Sequence, residues 1–154
     1  MTSRRSKIQT WPLAQQAVVE AIIEKHNAAS NQRKFNAVLA TASINNAIEY
    51  YRLFKSIQAL RQAEDQSYIP LNIACVFSPP AEGNKDIQQI QQDLAQEKED
   101  NKQNPEEKKK ALNEILADYN KQFGSNHRIT EFDLYYQDVQ RRIKDQKFSN
   151  KDYP

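Results

Sequence analysis

Residue types that carry catalysis or hold metals are sparse in this chain. Cys75 is the only cysteine, and the two histidines, His26 and His127, have no partner acid or nucleophile in a recognisable motif. Gly83 and Gly124 are the only glycines, so no glycine-rich loop can hold a phosphate group. Zinc sites need clustered ligands, and nucleophilic catalysis needs an activated side chain. The sequence therefore predicts no catalytic, cofactor-binding or metal-binding residue.

Composition argues against membrane-spanning and secreted proteins. The 154 residues are 38% hydrophobic and 27% charged, and the net charge of +2 is too small to indicate nucleic acid by itself. No run approaches the roughly 20 apolar residues of a membrane span, and residues 1–7 are not followed by the apolar segment of a signal peptide. A single cysteine suits a reducing compartment. We therefore expect a cytoplasmic protein with no membrane partner.

Helical spacing of apolar residues predicts several helices that would position any site. Apolar residues from Leu13 to Ile22 predict a helix over 12–27. A second apolar stripe begins after Ser43 and predicts a helix over 44–62. The Ser43 hydroxyl can accept the free N–H groups of a first helical turn, so this serine is a candidate helix cap.

Two short apolar runs without helical period predict strands. Residues 35–41 (FNAVLAT) and 71–77 (LNIACVF) are bounded by polar residues or proline, as buried strands often are. Two strands joined by a helix form a right-handed crossover with parallel strands. The predicted fold class is therefore α/β, with an incomplete parallel sheet layer, helices on its faces and a helix-rich whole.

The rest of the chain is predicted to be helical. Residues 81–111 are strongly charged and predict an exposed helical insert, which is either a docking surface for another domain or a solvated excursion. Asn104 followed by proline predicts the start of a helix over 105–123, and Gly124 predicts its end. A further apolar stripe predicts a helix over 131–144.

Two parallel strands cannot close a core, so this sheet needs more strands. Either another chain supplies them, or the sequence is one piece of a larger α/β protein, and we favour the second interpretation. Residues 1–80 would then be the first part of a larger domain, and residues 112–154 its helical continuation after the insert. Uncovered apolar stripes and an open sheet edge would favour self-association.

Four segments in order carry a resemblance to a known family. They are Lys34–Lys55 (KFNAVLATASINNAIEYYRLFK), Ile73–Ser78 (IACVFS), Ala117–Phe123 (ADYNKQF) and Tyr135–Gln146 (YYQDVQRRIKDQ). With this order the chain resembles the restriction (R) subunit of type I restriction-modification enzymes, over about Ala14–Lys147. The match is to the beginning of the second RecA-like (P-loop NTPase-type) motor domain of that subunit.

The resemblance implies a parent enzyme with chemistry that this chain lacks. The parent would be an ATP-dependent type I site-specific deoxyribonuclease that translocates duplex DNA and uses ATP and Mg. Its partners would be duplex DNA and the methyltransferase and specificity subunits of the complex. This sequence has no GxxxxGK[ST] phosphate loop, no DEAH-like pair and no nuclease carboxylate cluster. We therefore expect the chain alone to lack ATPase and nuclease activity and to hold no cofactor.

The same resemblance implies contact with the DNA backbone. In this motor class the first strand of the second domain ends in a small polar turn that faces phosphates of the tracked strand. Thr41, Ser43 and Asn45 occupy that place here, and Ser78 is the corresponding residue after the second strand. Helix-start amides and the helix dipole favour an anion, which suits this role. The alternative is that Ser43 is only a helix cap and Ser78 only a turn residue between strand and loop.

A different class of function also fits the composition. A stand-alone helical protein-protein interaction module would use amphipathic helices to bind a partner and would need no nucleotide. It would account for the many dispersed glutamines and asparagines, but not for two strand-like runs or the ordered resemblance. A spectrum of nearly pure helix would favour it.

Overall fold

The described part of the chain is built from helices joined by extended segments. A computed structural model describes residues 2–29, 35–80 and 95–144. Its helices, in chain order, are α1 (Thr2–Ala29), α2 (Ile44–Glu64), α3 (Ala95–Lys102), α4 (Pro105–Phe123), a short 3₁₀ turn (Ile129–Glu131) and α5 (Phe132–Lys144). Within these ranges, none of the helices combines the length and hydropathy that crossing a membrane requires.

The predicted α/β fold class is wrong for the described residues, which contain no strand and therefore no RecA-like parallel sheet layer. Residues 35–41, predicted as a buried strand, form no strand in the described ranges. Three of their apolar side chains face solvent, with Phe35 40%, Val38 74% and Leu39 46% exposed. A sheet needs a ladder of backbone hydrogen bonds between neighbouring strands, and the described residues form no such ladder.

The second predicted strand, over 71–77, is also wrong, but this segment is packed. Cys75 and Phe77 are buried. Backbone carbonyls along the segment accept hydrogen bonds from helix side chains instead of from a strand. The Tyr135 hydroxyl donates to the Cys75 carbonyl at 2.6 Å, and the Gln58 amide donates to the Leu71 carbonyl at 3.2 Å. Side chains thus replace the ladder that a parallel sheet would have supplied.

The described residues divide into two compact units. The first joins Met1–Ala37 with Glu49–Ile73, and the second joins Val38–Ile48 with Ala74–Pro154, over their described residues. Helix α2 contributes to both, since its first residues belong to the second unit and the remainder to the first.

In the first unit, α1 packs on α2 through a small apolar core. Its buried residues are Val19, Ile23, Phe54 and Ile57. The predicted apolar stripe of α1 was misplaced by about one residue, because Leu13 is 58% and Val18 41% exposed, whereas Val19 and Ile23 are buried. One residue is a 100° step around a helix, so such a shift changes which side chains face the core.

Gln58 ties α2 to the chain that follows it in the first unit. Its side chain is buried, and its Oε1 accepts from the Leu71 amide at 2.6 Å and from the Tyr68 hydroxyl at 3.0 Å. Its Nε2 donates to the Leu71 carbonyl. The glutamine amide therefore pairs with Leu71 through both of that residue's backbone groups, as a peptide group of a neighbouring strand would.

In the second unit, α4 and α5 provide most of the core. The buried residues of these two helices include Leu112, Ile115, Leu116, Tyr119, Phe132, Tyr135 and Val139. Asn104 is the N-cap residue of α4, so the predicted start of this helix is confirmed, but Asn104 adopts a left-handed conformation (φ 48°) and makes no side-chain cap bond. Its carbonyl accepts from the Lys108 amide instead. Gly124 ends α4 with φ 64°, and its amide donates to the Asn120 carbonyl.

Candidate nucleic-acid interface

The start of α2 brings together three of the four residues predicted to contact DNA. The Ser43 carbonyl accepts from the Ala47 amide at 3.0 Å, and the Ser43 hydroxyl oxygen accepts from the Asn46 amide at 3.1 Å. Ser43 therefore caps α2, which was one of the two roles expected for it.

Thr41 and Asn45 flank this cap in different ways. The Thr41 hydroxyl donates to the Ser43 carbonyl at 3.2 Å, so Thr41 stabilises the turn that leads into α2. Asn45 is exposed in the first turn of the helix. Of the predicted residues at the α2 start, Asn45 is thus the one most open to a ligand.

A carboxylate from α3 already lies at the α2 start. Asp100 Oδ2 accepts a hydrogen bond from the Ile44 amide at 3.2 Å, across 56 positions of sequence. An amide at a helix start is a partial positive charge, and a carboxylate beside it is stabilised by the helix dipole. In the structure, the Ile44 amide of the first α2 turn is therefore already paired with an acidic side chain of the same chain.

Ser78, the fourth predicted residue, is only 2% exposed. Its carbonyl accepts from Asn101 Nδ2 at 2.7 Å. Asn101 is the neighbour of Asp100, so two consecutive residues of α3 contact the α2 start and the Ser78 backbone. Asn101 is itself buried, and its Oδ1 has no hydrogen-bond partner in the described part of the chain.

Lys108 fixes the end of α3 to the start of α4. This lysine is 2% exposed, and its Nζ donates to the carbonyls of Asp100 and Gln103. A cation at the carbonyl end of a helix is favoured by the dipole, and the two carbonyls satisfy a charge that would otherwise be costly to bury.

A second polar cluster, which sequence reasoning missed, lies between α4 and α5. The Asp138 carboxylate accepts from the Tyr119 hydroxyl at 2.6 Å, from His127 Nε2 at 3.1 Å and from Arg142 Nε at 3.3 Å. Arg141 donates to its other oxygen. The Arg142 guanidinium also lies over the Phe123 ring, 4.2 Å from its centroid.

The contacts in this cluster shift the pKa values of Asp138 and Tyr119. Burial opposes ionisation of Asp138, but hydrogen bonds from Tyr119, Arg141, His127 and Arg142 outweigh it and hold the pKa well below its usual value. Burial, together with the bond to Asp138, raises the pKa of Tyr119 to about 12. The carboxylate is thus a fixed negative charge surrounded by donors, and no serine or cysteine takes part in these bonds.

The described residues show no arrangement suited to metal chemistry. Within residues 2–29, 35–80 and 95–144, no group of three or more histidine, cysteine or acidic side chains is placed to hold a metal ion. Of the two polar clusters, the α2 start is the one that presents helix amides to an anion.

Comparison with known protein families places most of the chain in a described domain. The family model for the type I restriction enzyme subunit R domain 3 matches residues 33–152. No solved structure matches the chain. The matched range contains the α2 start, α3 and the Asp138 cluster.

Proposed function

Because the chain belongs to the type I restriction enzyme subunit R domain 3 family, we propose that it serves an ATP-dependent DNA translocase and endonuclease subunit, where its α2 start contacts the DNA backbone. The parent is thus a restriction endonuclease of the type I class. Duplex DNA and the methyltransferase and specificity subunits are the proposed partners, and the complex works in the cytoplasm.

The observation that carries this proposal is the carboxylate at the α2 start. The Ile44 amide donates to an oxygen of Asp100, and a helix-start amide paired with a carboxylate supports a turn that can donate to an anion. A DNA phosphate, like a carboxylate, has negatively charged oxygens that accept hydrogen bonds. Contacts to phosphates through backbone amides carry no sequence information, which suits a motor that moves along any DNA.

The chemistry of ATP hydrolysis and DNA cleavage is assigned to other parts of the subunit. With only two glycines, this chain has no phosphate loop to hold ATP and Mg. We expect the 154-residue chain to hydrolyse no ATP and to cut no DNA, and to contribute only a binding surface to the groove.

A charge introduced at Asn45 tests the DNA contact. Asn45→Asp places a carboxylate on the exposed first turn of α2, where the dipole favours an acid, so the helix should keep its stability. We expect affinity for a fluorescein-labelled duplex, measured by anisotropy at low salt, to fall about three- to tenfold. Asn113→Asp, at an exposed position of α4, is the control with the same change of charge.

The outcome separates charge from position. If both variants weaken binding equally, the effect is one of net charge, and the α2 start is not the contact. If neither variant changes a measurable affinity, the proposed contact is also wrong. A loss confined to Asn45→Asp, together with a shallower salt dependence, supports it.

The interaction module is the second candidate, and one observation favours it. The described residues contain helices and no strand, as that hypothesis predicted. Sedimentation of the chain with and without duplex DNA distinguishes the two functions. A species that self-associates and does not bind DNA would favour the module, whereas a complex with DNA that weakens with salt would favour the motor surface.

A further inference from the structure

The last two turns of α5 carry a basic stripe, which we define as Gln137, Arg141 and Lys144. All three residues are exposed, and they recur at spacings of four and three, which places them on one face of the helix. We propose that this basic stripe, together with the neighbouring Arg142, binds phosphates of the DNA backbone as a contact separate from the α2 start. The inference rests on the proposed function only in taking duplex DNA as the partner.

Charge on this part of α5 is mainly positive. Residues 137–144 (QDVQRRIK) contain three cations and one acid, Asp138. The Asp138 side chain is only 12% exposed and already accepts hydrogen bonds from Arg141 and Arg142. Every side chain of the basic stripe can donate a hydrogen bond, and none is acidic. A phosphate that approaches the stripe therefore meets donors and excess positive charge, and the stripe itself has no carboxylate that would repel it.

Arg142 provides an independent observation, because its guanidinium is held in one orientation. Its Nε donates to the Tyr119 hydroxyl at 2.8 Å and to Asp138 Oδ2 at 3.3 Å. Its Cζ lies over the Phe123 ring, 4.2 Å from the centroid. These contacts engage the Nε edge and one face of the group, while 36% of the side chain stays exposed. An arginine that is already fixed loses less side-chain entropy on binding, and its planar fork matches the geometry of a phosphate.

Asp138 acts in this arrangement as a positioning residue. Its carboxylate accepts from Arg141 and Arg142, so one largely buried acid orients two adjacent cations. Tyr119 and His127 also bond to the carboxylate, which ties its position to α4 and to the loop after α4. The negative charge between the two guanidinium groups reduces their mutual repulsion, so both can stay at the same end of α5.

A structural tie between α4 and α5 explains only part of this arrangement. It accounts for Arg142, whose contacts reach Tyr119 and Phe123 of α4. It does not account for Arg141, whose side chain is 60% exposed, or for Lys144, which is exposed at the last residue of α5. Cations at a helix end are favoured by the dipole, but that effect needs no fixed guanidinium. A phosphate contact uses the exposed cations and the fixed one together.

Removal of one exposed cation tests the basic stripe. Arg141→Gln does not alter the groups that hold Arg142. We expect its affinity for a fluorescein-labelled duplex, measured by anisotropy at low salt, to fall about three- to tenfold, and the slope of log affinity against log salt to become shallower by about one. Lys110→Gln is the control with the same change of charge, since Lys110 is exposed near the start of α4. We expect a change of less than about twofold for this control.

Arg142→Lys separates charge from shape. Lysine keeps the positive charge, but it has no planar fork and no Nε–H group to bond to Tyr119 and Asp138. We expect the affinity to fall about two- to fivefold while the salt slope stays at the wild-type value. A purely structural role would lower the free energy of unfolding in urea and leave the affinity of the folded variant unchanged, and that result would contradict the role of Arg142.

A measurement on the wild-type chain does not depend on the fold of a variant. Acetylation of the lysines, quantified by mass spectrometry with and without duplex DNA, should become several-fold slower at Lys144 in the complex and stay unchanged at Lys110. Equal reactivity of Lys144 with and without bound DNA would overturn the inference, whatever the variants do.

The results distinguish this inference from the proposed function. If Asn45→Asp weakens binding and Arg141→Gln matches Lys110→Gln, the basic stripe is refuted and the α2 start remains the contact. If Arg141→Gln weakens binding and Asn45→Asp matches its own control, the basic stripe stands and the α2 contact fails. If the wild-type chain does not bind duplex DNA, both fail together.

Discussion

Replacing the Asp138 carboxylate by an amide should destabilise the second unit more than any surface charge change. The side chain of Asp138 is only 12% exposed, and it accepts from Tyr119, His127 and both arginines that follow it. In Asp138→Asn one acceptor oxygen becomes an NH₂ group that faces donors. The cluster thus loses hydrogen bonds to charged partners and gains a clash between donors.

The magnitude follows from the number and kind of bonds lost. A hydrogen bond to a charged group contributes about 1.5–3 kcal/mol, and removal of one partner from a buried ion pair costs about 3–5 kcal/mol. Arg141 is 60% exposed and adds little. We therefore expect the free energy of unfolding to fall by about 2–4 kcal/mol, which is roughly 5–15 °C in Tm.

The loss of stability caused by Asp138→Asn should depend on pH. The pKa of Asp138 is lowered in the folded chain, so below about pH 4 the unfolded chain binds a proton that the folded chain does not. The stabilisation by Asp138 is therefore complete above about pH 5 and declines as the pH falls toward the folded pKa. The difference between the wild type and Asp138→Asn should narrow over the same interval.

Urea unfolding followed by circular dichroism between pH 2.5 and pH 7 measures both effects. Glu131→Gln, an exposed position beside α5, is the control with the same change of charge. The reasoning fails if Asp138→Asn is no more destabilising than this control at pH 7. It also fails if the difference from the wild type stays constant as the pH is lowered.

Three further predictions concern single residues. The free energy of unfolding should fall between about pH 10 and pH 12, because the raised pKa of Tyr119, about 12, means that the unfolded chain releases this proton before the folded chain does. Tyr119→Phe should remove this part of the fall, which urea unfolding at these pH values measures. Gln58→Ala should lower the free energy of unfolding by about 2–3 kcal/mol through lost bonds to Leu71, whereas exposed Gln62→Ala should change it by less than about 0.5 kcal/mol, both by urea titration. Gly124→Ala should cost about 1 kcal/mol for its left-handed φ of 64°, and Gly124→Asn less, by thermal melts; equal costs would contradict this reasoning.

Local patterns in the sequence predicted the helices better than the strands. The stripe after Ser43 predicts a helix over 44–62, and α2 spans Ile44–Glu64. Helical spacing and a cap are properties of neighbouring residues, so they can be recognised in one segment. Strand formation at 35–41 and 71–77 depends on a neighbouring backbone, and an apolar run contains no information on whether one exists.

The contacts of the candidate site were harder to predict for a related reason. Asp100 reaches Ile44 across 56 positions, and nothing near either residue signals the pair. The Asp138 cluster was partly visible, since Arg141 and Arg142 stand three and four residues after Asp138 on a predicted helix. Its link to His127 crosses a loop, and only the folded chain shows it.

Because Cys75 is buried, its reactivity with thiol reagents reports on opening of the structure around it. This thiol is 8% exposed, its Sγ lies 3.8 Å from the Ala47 carbonyl oxygen, and the sequence contains no second cysteine. Thiol-selective reagents can therefore modify each molecule at a single position, and burial of Cys75 makes this reaction slow until the structure around it opens. Where reclosing outpaces the reaction, the labelling rate is proportional to the fraction of open molecules. The opening equilibrium of the second unit can thus be measured by mass spectrometry on the unaltered protein.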